Sequence, residues 1–153
     1  STAITLCENL PDLAKWDARI LATDIDTNMV RHGHEGVYLR KAVESVPAHL
    51  RKSYFQPVAR GADHCRVNAE VRSLIVFKQL NLLGPWPMKG PFDLIFCRNV
   101  VIYFDKPTQK RLFDRYADIL RDDGFLYIGH SESLFNVTDR FKSIGKSIYQ
   151  KVA

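Results

Sequence analysis

Apolar positions along the chain recur with two different periods, and those periods divide it into elements. In residues 1–10, Ala3, Ile4, Cys7 and Leu10 share one helical face, and Pro11 ends the segment. Residues 19–23 form a short apolar run that closes on Asp24-Ile25-Asp26-Thr27-Asn28, a strand followed by a turn. Residues 28–33 start a helix that Gly33 is expected to stop. Val43, Val46, Leu50 and Tyr54 then keep helical spacing across residues 42–54, with Pro47 in the first turn. Residues 65–71 alternate and residues 74–80 are β-rich, so the region from 58 to 83 reads as an antiparallel hairpin. A loop broken by Gly84, Pro85, Pro87, Gly90 and Pro91 follows.

The second half opens on Phe92–Cys97, an apolar strand that runs straight into Arg98-Asn99. Asp105 is placed to cap the next helix, with Pro107 in its first turn. Leu112, Phe113, Tyr116, Ile119 and Leu120 make the apolar stripe of that helix, which Asp123-Gly124 is expected to end. Residues 125–128 and 147–152 read as a third and a fourth strand. Apolar strands alternating with helices predict an α/β fold, a largely parallel sheet covered on both faces. Such sheets bind ligands beyond the carboxyl ends of their strands. Three places therefore matter: after Thr23, after Leu80 and after Cys97.

Composition narrows the class. With 153 residues, 46% hydrophobic and 25% charged, the chain is expected to be one ordinary globular domain. No apolar run reaches membrane-span length, and no signal-peptide pattern opens the chain, so no membrane insertion is expected. Cys7, Cys65 and Cys97 lie far apart and outside any ligand spacing, so neither a disulfide framework nor a metal site is indicated. A reducing cytoplasm suits such a chain.

The charge is uneven. Arg31, Arg40, Lys41, Arg51, Lys52 and Arg60 face only Glu35 and Glu44 within residues 31–60, a net of +4 (six minus two) out of +5 for the whole chain. The segment is either a solvated surface or a docking face for an acidic partner. No nucleic-acid partner is expected, because no RNP, KH or zinc-finger signature accompanies the charge.

Asp24 is placed to accept hydrogen bonds from both hydroxyls of a ribose, or else to serve as a turn or cap residue. Asn81-Leu82 offers an amide and backbone groups to a base edge. Arg98 keeps its charge at any pH, so it calls for a carboxylate, either an internal aspartate or a ligand. The Pro-Pro pair usual after this strand in nucleic-acid amino-methyltransferases is missing.

Four stretches, ILATDIDTNMV, NLL, GPFDLIFCRNVVIYFD and GFLYIGHSES, together resemble the chemotaxis receptor methyltransferases, the CheR family, from residue 1 to about 151. The resemblance implies a Rossmann-like methyltransferase fold with a small inserted antiparallel β-subdomain at about 58–78. It implies methyl transfer from S-adenosylmethionine, leaving S-adenosylhomocysteine, to glutamates on the cytoplasmic helices of receptors. By the same resemblance Asp24 binds the cofactor ribose, and Asn81 and Leu82 flank its adenine. Arg98, Asn99 and Tyr103 line its methionine end and the methyl group, with Arg98 and Tyr103 as the catalytic pair. The β-subdomain docks a receptor's tail peptide in some members, and His130 of GHSES is expected to be structural or to support a site residue without touching the reacting groups. The family pattern also carries a first strand, a glycine loop and a helical domain upstream. The chain is therefore expected to be a portion of a catalytic domain, residues 1–153, lacking its first strand. The alternative expectation is a module that binds receptors or signalling proteins without turnover.

Overall fold

Thr2–Asn9 forms helix α1, buries Ala3 and Ile4, and ends with the Leu10 N–H bonded to the Leu6 carbonyl. The computed structural model describes residues 1–58 and 61–152, which fall into two compact units divided between Asn81 and Leu82.

In the first unit, β1 (Ile20–Asp24) pairs in parallel with β5 (Ile75–Gln79), with Asp24 opposite Gln79 at the carboxyl end. Helix α2 (Thr27–Glu35) is capped by Asp26, whose carboxylate accepts the Asn28 N–H at 2.7 Å. The helix runs through Gly33 and stops at Gly36, which takes the left-handed conformation (φ 61°). Gly33 does not end it. The residue is small because the Phe77 ring occupies the space where a Cβ would stand.

Pro47 caps rather than enters α3 (Ala48–Tyr54), and a 3-10 turn, Arg40–Val43, precedes it. The expected hairpin across 58–83 is not formed. Residues 69–73 are helix α4 (Ala69–Ser73), started by Asn68 accepting the Val71 N–H at 3.0 Å, and β5 belongs to the parallel pair instead. Antiparallel pairing occurs earlier than expected, in a three-stranded sheet of β2 (Val37–Leu39), β4 (His64–Val67) and β3 (Phe55–Pro57), with β4 in the centre. Of the stretch 58–78, only β4 lies in that sheet. The core of this unit joins Ala3, Ile4, Tyr54 and Val71 with Ile20 and Ile75.

In the second unit, β6 (Phe92–Cys97) pairs in parallel with β7 (Leu120–Ile128). Helix α5 (Lys106–Ile119) connects them, capped by Asp105, whose carboxylate accepts the Thr108 N–H at 2.9 Å. The helix ends at Ile119, and the chain enters β7 at Leu120, before the expected Asp123-Gly124 stop. Strand β9 (Ile148–Lys151) pairs antiparallel with β7, and β8 (Phe141–Gly145) antiparallel with β9. The two-residue link between β8 and β9 permits only antiparallel pairing, so this sheet is mixed rather than largely parallel. Leu112, Phe113, Tyr116 and Ala117 of α5 pack on Leu126 and Ile128 to form its core.

Each parallel pair is covered on one face. Ile20, Ile75, Ile95 and Leu126 point into the cores, whereas Leu21, Val76, Leu94 and Phe96 on the alternate face are exposed. Covering of both faces was expected from the apolar runs.

Candidate functional site

The carboxyl end of β1 carries Asp24, and its position follows from the turn that starts α2. Its Oδ1 accepts the Asp26 N–H at 2.9 Å, while its backbone carbonyl accepts the Leu80 N–H at 2.9 Å. Gln79 reinforces the turn by donating Nε2 to the Ile25 carbonyl at 3.0 Å. Asp24 is thus a turn residue, and its second oxygen has no partner among the described residues. Asn81 follows the buried Leu80, so the first unit brings Asp24 and Asn81 to the same end of the parallel pair.

Leu82 begins the second unit with its carbonyl already engaged. It accepts from Trp86 Nε1 at 3.1 Å and from Arg115 at 2.7 Å. Arg115 also donates to the Gly84 carbonyl at 2.7 Å and lies 3.8 Å from the Trp86 ring centroid. This cation–π and hydrogen-bonded anchor fastens the loop to α5 and leaves the Leu82 side chain half-buried against the core.

Arg98 follows the last residue of β6 and is exposed, with no hydrogen bond or ion pair among the described residues. The internal aspartate that a buried guanidinium would need is therefore not required. Asn99 takes the left-handed conformation (φ 60°). A 3-10 turn, Val101–Tyr103, then presents Tyr103 at 79% exposure. The structure thus gathers Arg98, Asn99 and Tyr103 on one loop.

A cavity of about 300 Å³ lies beside Arg98, lined also by Phe96, Tyr127, His130, Lys146 and Ser147. Phe96 and Tyr127 stack with ring centroids 4.7 Å apart, and Ser147 Oγ sits 3.2 Å from His130 Nδ1. Two fixed cations and no carboxylate line the cavity, so its chemistry suits an anion next to an apolar wall. The first unit has an open pocket of about 290 Å³ between α2, α4 and β5, lined by His34, Arg72 and Phe77. It contains none of the expected site residues. No group of three or more His, Cys, Asp or Glu among the described residues is arranged to hold a metal ion.

Behind the loop, burial pushes the Cys97 thiol up to about 11, and burial likewise raises the neighbouring Tyr116 hydroxyl. Both therefore stay protonated at neutral pH.

Within GHSES it is Glu132, not singled out by the sequence pattern, that bonds to the loop after β6. It is buried, and its carboxylate accepts backbone N–H groups from Asn99, Val100, Val101 and Gly129. The available signal was a carboxylate three residues after a glycine at a strand end, flanked by the buried Leu134.

Residues 1–150 match the family described as CheR methyltransferase, SAM binding domain. Over 152 residues the chain is 43% identical to a probable chemotaxis protein methyltransferase of Rhizobium etli, covering 98% of this chain and 57% of that protein. It is 42% identical to chemotaxis protein methyltransferase 2 of Pseudomonas aeruginosa, covering 97% and 54%. To the chemotaxis protein methyltransferase of Escherichia coli it is 34% identical, covering 97% and 52%. The chain thus spans about half the length of the curated relatives it matches.

Proposed function

Because the chain belongs to the CheR methyltransferase family, in its S-adenosylmethionine-binding domain, we propose that the protein containing it methylates glutamate side chains of chemotaxis receptors. The observation that carries this reading is Arg98, an exposed guanidinium at a strand end with no anion of its own.

The residues fit the cofactor chemically. Asp24 keeps one carboxylate oxygen unpartnered and held by its turn, as a pair of ribose hydroxyls requires. Asn81 and Leu82 serve the adenine, and Asn99 and Tyr103 serve the methionine end. S-adenosylmethionine supplies a methyl group already bonded to its leaving group. A receptor glutamate is ionised at neutral pH, so no residue of this chain has to remove a proton from it. Arg98 attracts and orients that carboxylate, and Tyr103 flanks it. The task left to the protein is alignment and partial removal of water.

The edge strands β2 and β3 of the three-stranded sheet suit addition of an extended receptor tail peptide as a further strand. No described helix is long and apolar enough to cross a membrane, and the proposed place of action is the cytoplasm, where receptor signalling helices lie.

The test incubates the complete protein with a receptor cytoplasmic fragment and S-adenosylmethionine labelled in its methyl group. Label should enter the receptor and leave as methanol in alkali, as a carboxyl methyl ester does. It should also vanish when the receptor glutamates are replaced by alanine. Binding of the receptor fragment with no label transferred would leave only a receptor-binding module.

A further inference from the structure

Glu132 holds the Arg98 loop from outside it. Its Oε1 accepts the N–H groups of Val100 and Val101, both at 3.0 Å. Its Oε2 accepts those of Asn99 at 3.2 Å and Gly129 at 2.5 Å. The residue is 6% exposed, and no ion pair to it is formed among the described residues. A buried carboxylate is costly unless its lone pairs are satisfied, and here backbone amides satisfy them.

Three consecutive amides converging on one carboxylate form a concave nest of the kind that usually captures an anion. The left-handed Asn99 (φ 60°) turns its N–H toward the same point as the next two. Here the anion is a side chain from the loop after β7. The 3-10 turn bearing Tyr103 begins at Val101, one of the clamped residues, and Arg98 immediately precedes the first of them. Gly129 completes the arrangement. A Cβ there would stand 2.7 Å from Glu132 Oε2 and 2.9 Å from Asn99 Oδ1, so the clamp fills the space that glycine leaves.

An apolar side chain of similar volume often stabilises a core as well as a buried charge does. What the carboxylate adds is direction, four bonds that set the backbone of both loops at once. We propose that Glu132 is a positioning residue for methyl transfer, holding the backbone of residues 99–101 and through it Arg98 and Tyr103. This inference rests on the methyltransferase reading above.

The test uses the complete protein with Glu132→Gln, Gly129→Ala and, as a control for lost stability, Leu112→Ala in the core behind the same sheet. Glutamine presents an NH2 group to donors that need an acceptor. Alanine at 129 leaves the charge in place but pushes it away. Both clamp variants should lose roughly 100-fold in kcat with little change in KM for receptor, while Leu112→Ala, measured well below its Tm, keeps its kcat.

Amide hydrogen exchange, which needs neither cofactor nor receptor, should quicken roughly tenfold at Val100 and Val101 in the clamp variants, with Leu126 unchanged. Turnover that falls only in step with Tm in all three variants, or unchanged exchange at these amides, overturns the proposal. If Glu132→Gln fails to fold, Gly129→Ala decides alone by the same two readings. A wild-type protein that binds S-adenosylhomocysteine but methylates nothing overturns the functional reading as well. The wild-type arm thus tells the two failures apart.

Discussion

Gln109, one turn into α5, donates Nε2 to the carbonyl of Val101 at 2.9 Å, and the same NH2 group reaches the Phe104 carbonyl at 2.9 Å. The side chain is buried, so the turn bearing Tyr103 is fastened to α5 on one side and to Glu132 on the other. Replacing Gln109 by Leu keeps most of the volume and leaves both carbonyls without this donor. The expected cost is about 1–3 kcal/mol of stability in urea unfolding. A midpoint equal to that of wild type would mean that water reaches these carbonyls.

Arg98→Ala should leave the fold alone. An exposed side chain without partners changes stability by about 0.5 kcal/mol or less, whereas loss of a cation aimed at the reacting carboxylate costs roughly 100-fold in turnover. Parallel measurement of Tm and of methyl transfer separates the two. A large fall in Tm would return Arg98 to a structural role.

For Asp24 the turn and the ligand must be separated. Asp24→Ala removes both the acceptor for the Asp26 N–H and the proposed ribose contact, and should weaken S-adenosylhomocysteine binding by about 1.5–3 kcal/mol. Asp24→Asn keeps the turn acceptor and should hold Tm while still weakening binding. Calorimetric titration in which neither variant differs from wild type would make Asp24 a turn residue only.

What the sequence disclosed, and what it hid, follows from the range of each interaction. Asp105 with Pro107 was legible as a helix start because a cap is made within three residues. Phe92–Cys97 was legible as a strand because its apolar run is short and sharply bounded. Helix α4 was not, since five residues hold barely more than one helical turn and the alternation around them suits a strand equally. The end of α5 was misjudged because Leu120 continues the apolar stripe while already belonging to β7. Strand β8, with Lys142 and Ser143 at its centre, has too little apolar character to announce itself. That Arg98, Asn99 and Tyr103 share one loop was legible because they are neighbours in the chain. The hold of Glu132 on that loop was not, since three of its four donors lie more than 30 residues away in the chain.

Alkaline pH should destabilise the second unit. The Cys97 thiol is raised to about 11 by burial, and burial raises Tyr116 as well, whereas an unfolded thiol ionises near 9. A folded value above the unfolded one means that this stability is fully present below about pH 9 and is lost as pH climbs through 11. Tm measured between these limits should fall, and Cys97→Ala should flatten the decline. A slope unaffected by that change would show that Cys97 is not the titrating group.

The basic segment offers a further test. Arg31, Arg40 and Arg51 are tied to Asn28, the Ala62 carbonyl and the Glu44 carbonyl, whereas Lys41 and Lys52 are exposed and make no side-chain hydrogen bond or ion pair among the described residues. Arg60 lies outside the described residues. Reversing Lys41 and Lys52 to Glu should raise KM for an acidic receptor helix at low salt and leave cofactor affinity unchanged. The difference should shrink as salt screens charges over ~8 Å at physiological ionic strength. Normal receptor methylation at low salt would make these residues a solvated face.

The Phe77 ring beneath Gly33 reaches to 2.2 Å of the point where a Cβ would be. Helix α2 therefore rests on this ring near its C-terminal end, with the Asp26 cap seven residues away at the other end. An alanine at residue 33, favoured in an exposed helix by up to about 1 kcal/mol, must here displace the ring or lift the helix. A lifted helix would carry the Asp26 cap with it, and so disturb the turn that holds the Asp24 carboxylate. With Asp24 as the proposed ribose contact, inherited variation at residue 33 would then tune cofactor affinity from beneath the helix. A search for affinity determinants confined to pocket walls would overlook it.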